Sequence, residues 1–356
     1  MDPRVKELAK ILTDYSIKIK KNDRIRLTFD EAAKDLGLEC YKNIIKKGAY
    51  PVMHISLPGF AYEFYKNASE EQLKHYPKLT EYEVKKCQGL ISIGGETNTK
   101  ELSNIDPKKI AMRRLATSKI SDYIVDQNNW CIFEYPTAAL AQDAEMSVEE
   151  FKDFVFTATN IDWEKESKKQ DNLKNILDKG KDVRIVGENT DIRFSIKGRQ
   201  GIKCDGHRNM PDGEVFIAPC EKTTKGYIQY DFPVIRNGKE VTNVRLKFEN
   251  GKVIEAHADK NEDLLLEMIN LDKGSSYLGE FGIGLNYNIQ KFVKQILFDE
   301  KIGGTIHLAL GRAYNEGGGR NKSALHWDMI KDLRKKGAIY IDGKCIQKNG
   351  KWLIDL

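Results

Sequence analysis

The chain has 356 residues, of which 40% are hydrophobic and 31% are charged, and this balance predicts folded domains with a buried core and argues against a disordered chain. The net charge of +5 is small for 58 basic and 53 acidic residues, which argues against nucleic acid as a partner. The length favours two domains.

Helical and strand patterns alternate through the first half of the chain. After the helix-start signal Asp2-Pro3, apolar residues repeat at helical spacing as far as Tyr15. The segments that follow are predicted, in chain order, as strand 24–29, helix 31–47, strand 50–56, strand 89–95, strand 130–136 and helix 161–180. This alternation predicts an N-terminal α/β domain over residues 1–180 with a mostly parallel sheet.

From about residue 182 onward, most segments alternate polar and apolar residues as strands do. Dipeptides that favour tight hairpin turns separate these segments, namely Asn237-Gly238, Asn250-Gly251, Asp342-Gly343 and Asn349-Gly350. Helices are predicted at 261–270 and 288–299. We therefore predict a C-terminal α+β domain over residues 181–356, with a largely antiparallel sheet that carries the functional site, in a chain of the α/β class.

Cysteine usage and hydropathy indicate where the protein works. The six cysteines lie far apart and form no Cys-x-x-Cys pair, which favours reduced thiols over a zinc knuckle or a disulfide framework. The N-terminal segment lacks the apolar core of a signal peptide. No apolar run approaches the ~18 residues of a membrane span. We predict a soluble, cytoplasmic protein that does not bind membranes.

Residues that can bind metal are concentrated in four stretches of the second half. They are "PDGEVFIAP" with Glu214, "YLGEFGIG" with Glu280, "GGTIHLALGRAY" with His307 and Tyr314, and "SALHWDM" with His326 and Asp328. Residues i and i+2 of a strand point to the same side, so one extended segment could present both His326 and Asp328 to one ion. Carboxylates with histidines suit zinc, cobalt, manganese or iron(II). Taken singly, each residue also fits an ordinary structural role.

Four blocks in this order, "NMPDGEVFIAP", "YLGEFGIG", "FDEKIGGTIHLALGRAY" and "NKSALHWDM", resemble the thermophilic-type leucyl aminopeptidase family. The resemblance implies a two-domain homodimer that removes N-terminal residues from peptides with a free N-terminus. It also implies a water activated by two divalent metal ions per chain, which would be zinc, cobalt or magnesium/manganese. The implied metal ligands are Glu214, Glu280, His307, Tyr314, His326 and Asp328.

Further roles follow from the same resemblance and from position in the chain. The implied catalytic residues are Glu280, as a proton shuttle, and Tyr314, as a weak ligand or a donor to the oxyanion. His207, Arg312 and Arg320 are candidate substrate-binding residues, with a hydrogen-bonded structural histidine and solvated arginines as the alternatives.

The chain departs from the family pattern in segments that should line the substrate cavity. "DEKIGG" (299–304) stands where the family has a "DENA"-like run, and "FGIGLNYNIQ" (281–290) replaces a more aliphatic stretch. The alternative function is that of a related branch, the iron(II)-dependent dioxygenases that cleave dihydroxypyridine rings at a single iron site. Glu214 and Tyr314 beside both histidines favour the two-metal peptidase. Trp327, between two ligands on one strand, is predicted to point into the core.

Overall fold

The computed structural model describes residues 2–127, 129–236 and 239–356. The chain forms two compact units: the first unit is Met1–Ile161 with Gly206–Pro211, and the second unit is Asp162–Asp205 with Asp212–Leu356. We predicted a boundary near residue 180, whereas this division falls before the helix Trp163–Lys179. The helix lies in the second unit because its residues Leu173 and Leu177 pack in the apolar core of that unit.

The helices and strands occur along the chain as follows. The helices are α1 Pro3–Lys10, α2 Lys34–Lys46, α3 Phe60–Asn67, α4 Glu70–Lys74, α5 Lys78–Lys86, α6 Pro107–Gln127, α7 Ala138–Asp143, α8 Val148–Thr159, α9 Trp163–Lys179, α10 Glu262–Ile269 and α11 Ile296–Asp299. The strands are β1 Arg24–Asp30, β2 Tyr50–Ser56, β3 Gly89–Gly94, β4 Trp130–Glu134, β5 Asp182–Gly187, β6 Thr190–Ser195, β7 Ile202–Cys204, β8 Asn209–Met210, β9 Glu214–Ile217, β10 Lys225–Gln229, β11 Val234–Arg236, β12 Lys239–Val241, β13 Arg245–Glu249, β14 Lys252–His257, β15 Leu278–Gly284, β16 Thr305–Gly311, β17 His326–Asp332, β18 Gly337–Ile341, β19 Lys344–Lys348 and β20 Lys351–Trp352.

The first unit is built on a five-stranded sheet in the order β2-β1-β3-β4-β8, in which every neighbouring pair is parallel. Helices pack on this sheet, with α2 against β1 and α6 against β4. Ile25, Leu27 and Ile91 are fully buried as a result. The predicted parallel sheet is confirmed, as are the four strands predicted before residue 136.

Carboxylate side chains stand where the parallel strands of the first unit end. Asp30 ends β1, Glu96 follows β3 and Glu134 ends β4. Burial, and then the charges of Glu96 and Asp30, raise the pKa of Glu134 to about 7. This carboxyl therefore keeps its proton to a higher pH in the folded chain than in the unfolded chain.

Replacing Glu134 with glutamine should change how the stability of the protein depends on pH. Between its usual pKa of 4.5 and the folded value of about 7, the unfolded chain has released a proton that the folded chain still holds. Stability is therefore lost as the pH rises through this window, by up to about 3 kcal/mol, and the loss is complete above it. Urea denaturation at pH 5 and pH 8 should show a smaller loss for Glu134→Gln than for the wild type. An equal loss in both proteins would contradict the assignment.

The second unit contains three antiparallel sheets. The larger two have the strand orders β14-β13-β10-β6-β5-β18-β19-β20 and β17-β16-β15-β9-β7, and β11 pairs with β12. The apolar core lies between the two larger sheets, where Phe194 of β6 and Phe281 of β15 meet edge to face with ring centroids 5.2 Å apart. The prediction of a largely antiparallel sheet in this half is confirmed. One face of the sheet β17-β16-β15-β9-β7 is therefore buried in this core.

Three of the four predicted hairpin turns are confirmed. Asn250-Gly251, Asp342-Gly343 and Asn349-Gly350 have positive φ at both positions and join consecutive antiparallel strands. Asn237-Gly238 lies outside the described residues. The helix predicted at 261–270 is observed as α10.

The prediction of a helix over residues 288–299 is wrong for most of that range, because only α11 is helical there. Lys294 has a positive φ of 62°, which interrupts a right-handed helix. Oδ1 of Asp299 accepts a hydrogen bond from the backbone N–H of Val293 at 2.7 Å and so fixes a bend. A local hydrogen bond from a side chain replaces the backbone hydrogen bonds of the predicted helix.

All six cysteines are free thiols. Within the described part of the chain, no helix combines the length and the apolar character needed to cross a membrane.

Candidate metal centre

Five of the six predicted ligands lie on one face of the second unit's five-stranded sheet, β17-β16-β15-β9-β7. This face points away from the core, and we call it the ligand face. Strand pairing places Glu280 beside Ala309 and Ala309 beside Asp328. On one side of this row, His307 pairs with Gly282 and Glu214 pairs with Gly284, and on the other side His326 pairs with Gly311. The alternation of side chains along each strand therefore gathers ligands from β9, β15, β16 and β17.

Glycine at position 282 is required for His307 to occupy its place. A Cβ atom on Gly282 would lie 2.0 Å from Cε1 of the His307 ring, so any other residue would displace the imidazole. The glycines that stand out in "YLGEFGIG" therefore serve the site, because they leave room above the sheet for a ring that is fully buried.

Two groups of ligand atoms share Glu280, and a further group of Glu300, His307 and Asp328 overlaps with both. In the first group, Nε2 of His307 lies 3.1 Å from Oε1 of Glu280 and 3.4 Å from Oε2 of Glu214. In the second group, Nε2 of His326 lies 3.8 Å from Oε2 of Glu280 and 3.4 Å from Oδ2 of Asp328. Within each group of three residues, one ligand atom per residue lies within 4.8 Å of the others. The predicted presentation of His326 and Asp328 on one face is observed.

Buried oxygen atoms of this cluster fit the demands of metal binding. Among the described residues, Oε2 of Glu214, Oε2 of Glu280 and Oδ1 of Asp328 are buried and have no hydrogen-bond partner. Unsatisfied carboxylate oxygens in a protein interior are costly, and a divalent cation would satisfy them. Nδ1 of His326 contacts the carbonyl oxygen of Arg312 at 2.8 Å, which orients the ring and leaves Nε2 toward the ligands.

The charges of the cluster are balanced by protons when no cation is bound. Burial alone would lower the pKa of His307, but Glu214, Glu280 and Asp328 outweigh burial and raise it to about 10. Burial likewise opposes the charge of His326, whose pKa Asp328 and Glu280 raise to about 10. Burial is the main cause of the raised pKa of Glu280. The environment therefore favours positive charge at this position.

Lys301, which was not among the predicted site residues, pairs with Glu214 of the ligand face. Lys301 is fully buried, and its Nζ lies 2.8 Å from Oε1 of Glu214, 2.5 Å from Oε1 of Glu300 and 3.7 Å from Oδ1 of Asp212. Burial lowers the pKa of Lys301, but Glu214, Glu300 and Asp212 raise it well above its usual value. The signal for this residue was its place in "DEKIGG", the block that departs from the family's "DENA"-like run.

The sixth predicted ligand lies at the rim of the site. Tyr314 follows β16 and is 38% exposed, with its ring centroid 5.2 Å from that of His326. Burial, and then Glu280 and Asp328, raise the pKa of its hydroxyl. The guanidinium carbon of Arg312 lies 5.7 Å from the Tyr314 ring centroid, and Arg312 and Arg320 are exposed. Roles for these three residues stay predictions.

His207 lies in the first unit. Its ring stacks on Tyr15 with centroids 4.6 Å apart, and its Nδ1 contacts the carbonyl oxygen of Ser16 at 3.0 Å. These contacts agree with the structural alternative given above for this histidine. Its role in substrate binding stays a prediction.

The loop between Tyr314 and His326 is held by polar side chains. Nδ2 of Asn321 donates hydrogen bonds to the carbonyl oxygens of Gly274 and Gly311, and Oγ of Ser323 donates to Asp272. Trp327 is buried in the core on the face opposite to the ligands, as predicted. These hydrogen bonds fix the loop that leads into β17, the strand that carries the two predicted ligands His326 and Asp328.

A cavity of about 320 Å³ adjoins His326 and Asp328. Its apolar lining includes Val234, Ile235, Phe292, Ile296 and Ile330. Ile235 and Ile296 are 41% and 47% exposed, so the apolar wall is open to incoming molecules. A cleft with this lining beside a cluster of ligands can bind an apolar side chain next to the reacting group.

Comparison with known proteins finds a matching family model and curated relatives. A family model described as thermophilic metalloprotease (M29) matches residues 1–352. The chain is 26% identical to aminopeptidase AmpS of Bacillus subtilis (strain 168), in an alignment that covers 97% of each chain. It is also 26% identical to aminopeptidase 2 of Geobacillus stearothermophilus, over 82% of this chain and 83% of that one.

Two solved structures share the fold. Wild-type AmpT from Thermus thermophilus superposes with a TM-score of 0.87 at 21% identity, covering 99% of each chain. The 2,5-dihydroxypyridine dioxygenase from Pseudomonas putida KT2440 superposes with a TM-score of 0.62 at 11% identity, covering 98% of this chain and 96% of that one. At these identities the likeness concerns the fold alone.

Proposed function

The chain belongs to the thermophilic metalloprotease (M29) family, and from this premise we propose that it is an aminopeptidase whose active centre binds two divalent cations. The predicted family and the predicted enzyme class, a metal-dependent peptide hydrolase, are confirmed. The observation that carries the finer proposal is the position of Glu280, which belongs to both groups of ligand atoms.

The proposed mechanism assigns a task to each residue of the ligand face. Bound divalent cations supply Lewis acidity that makes a water nucleophilic near neutral pH and polarises a carbonyl group. Glu214 and His307 would hold one cation, His326 and Asp328 would hold the other, and Glu280 would contact both. Five ligands from four strands of one sheet give a rigid and largely dry frame, which is what preorganised catalysis requires.

Proton transfer is the second task. Glu280 is 5% exposed and faces both ligand groups, so its carboxylate is placed to accept a proton from the attacking water and return it to the leaving amine. The hydroxyl of Tyr314, at the rim beside His326, is the candidate donor to the developing oxyanion. A free α-amine on the substrate would complete the coordination, and this restricts cleavage to the first peptide bond.

The cleft beside His326 and Asp328 supports a preference among peptides. Its apolar wall of Val234, Ile235 and Phe292 fits a large apolar N-terminal side chain better than a charged one. Zinc, cobalt, magnesium or manganese as the native metal, a homodimer and a cytoplasmic location belong to the same proposal. The free thiols support the last of these.

The dioxygenase alternative rests on the fold that the chain shares with the dihydroxypyridine enzyme. A single iron site needs only one facial group of two histidines and a carboxylate. Each of the two ligand groups that share Glu280 instead combines one histidine with two carboxylates, and the family match and the curated relatives are peptidases. These observations favour hydrolysis.

One experiment tests the proposal against its alternative. Protein freed of metal by chelation and reloaded with zinc, cobalt, magnesium or manganese is given two peptides that differ only in N-terminal acetylation. We expect free amino acid from the unblocked peptide alone, and none after chelation. Equal cleavage of both peptides, or no release with any metal, would refute an aminopeptidase. Oxygen uptake with a dihydroxypyridine and iron(II) would instead support the dioxygenase.

A further inference from the structure

The role of Lys301 follows from where its ammonium group lies. The side chain is fully buried and its Nζ stands between Glu214, Glu300 and Asp212 at 2.8, 2.5 and 3.7 Å. A buried ammonium with three carboxylate neighbours is a fixed cation, since the carboxylates stabilise its charge.

Lys301 also stands beside a third group of ligand-type atoms. Cys204, Asp212 and Glu214 each offer one atom within 4.8 Å of the others, and two of these residues are the carboxylates that face Lys301. A thiolate with two carboxylates suits a zinc-like cation. In this chain the ammonium group of Lys301 supplies the positive charge at that corner, which we call the Cys204 corner.

Glu214 connects the Cys204 corner to the catalytic ligands. Its Oε1 is bound by Lys301, whereas its Oε2 is buried without a hydrogen bond and lies 3.4 Å from Nε2 of His307. One oxygen is therefore taken, and one is left for the group formed with Glu280 and His307.

We propose that Lys301 is a positioning residue with three effects on metal binding. It restricts Glu214 to one metal-binding oxygen and excludes metal from the Cys204 corner. It also weakens the binding of a cation at the Glu214–Glu280–His307 position. The proposal rests on the two-metal centre of the proposed function. The weakening follows from charge, because a fixed ammonium next to a ligand repels a cation bound to that ligand. The charge of Lys301 also acts on Asp328, but among the described residues Lys301 forms no ion pair with Glu280, His326 or Asp328, so that position is weakened less and holds its cation more tightly.

The test compares metal binding by the whole protein with that of Lys301→Met, which keeps a long unbranched side chain and removes the charge. We expect equilibrium dialysis with cobalt to show the weaker cation bound at least about tenfold more tightly in the variant. We also expect a near-ultraviolet thiolate-to-cobalt absorption band from Cys204 in the variant only, which the further change Cys204→Ser should remove.

A matched control is available on β17. Lys331 is also buried, with its Nζ 3.0 Å from the carbonyl oxygen of Glu188 and 3.1 Å from Oδ1 of Asp231, and it points away from the ligand face. Lys331→Met should leave both cobalt affinities and the spectrum unchanged. Wild-type affinities and no thiolate band in a folded Lys301→Met protein would overturn the proposal.

A second measurement applies if Lys301→Met does not fold. His326→Ala should retain the weaker position and His307→Ala the tighter one, so the single cobalt ion left in His326→Ala should bind at least about tenfold more weakly. The opposite order would refute the role of Lys301. A wild-type protein that binds no divalent metal would refute the two-metal function itself, which separates the two failures.

Discussion

Replacing Glu280 with glutamine should abolish peptide hydrolysis and leave fewer than two bound metal ions per chain. Glu280 is the one side chain common to both ligand groups, and its oxygens lie 3.1 Å from Nε2 of His307 and 3.8 Å from Nε2 of His326. Glutamine has nearly the same shape but no negative charge, so it holds cations weakly and accepts no proton from water. The rate should fall by about 10³-fold or more, since general base catalysis alone contributes about 10²–10⁴-fold.

The measurement pairs turnover of an unblocked peptide with elemental analysis of the same sample. Glu39→Gln is the control, because Glu39 is a buried carboxylate in the first unit that pairs with Lys42 rather than with a histidine. This control should keep activity and metal content. A Glu280→Gln protein with two metal ions and more than a tenth of the wild-type rate would show that Glu280 is neither the shared ligand nor the base.

Single replacement of either His307 or His326 should remove one metal ion and leave the other. His307 belongs to the group with Glu214, and His326 belongs to the group with Asp328. His307→Ala and His326→Ala should therefore each bind one cation per chain. Activity should fall by more than about 10²-fold in both, because changes to residues that only support a ligand cost about 10–100-fold and these histidines are the proposed ligands themselves.

The exposed His257, which lies 3.5 Å from Glu262, provides the control. His257→Ala should retain two metal ions and full activity. Loss of both metal ions in either of the other variants would indicate one site with mixed ligands instead of two positions.

Prediction from sequence succeeded where one residue type has one physical consequence. Asn-Gly and Asp-Gly pairs specified hairpin turns because both positions accept positive φ, and the structure has positive φ there. Alternating strands in the second half specified which residues share a face. His326 and Asp328 could therefore be placed together before any coordinates were known.

It failed where a tertiary contact decides the outcome. The apolar spacing of 288–299 suggested a helix, but the Asp299 carboxylate binds the backbone of Val293 instead. The domain boundary was expected after α9, yet the apolar face of that helix packs in the second unit. Lys301 could not be placed from its neighbours in sequence, because its partners Glu214 and Asp212 lie about ninety residues away in the chain and come near only through sheet pairing.

Anomalous diffraction from crystals grown with cobalt tests the shared-ligand centre most directly. The account predicts two peaks per chain, one among Glu214, Glu280 and His307 and one among Glu280, His326 and Asp328, both next to the Glu280 carboxylate. A single peak, or a peak in the Cys204 corner where Lys301 lies, would contradict it.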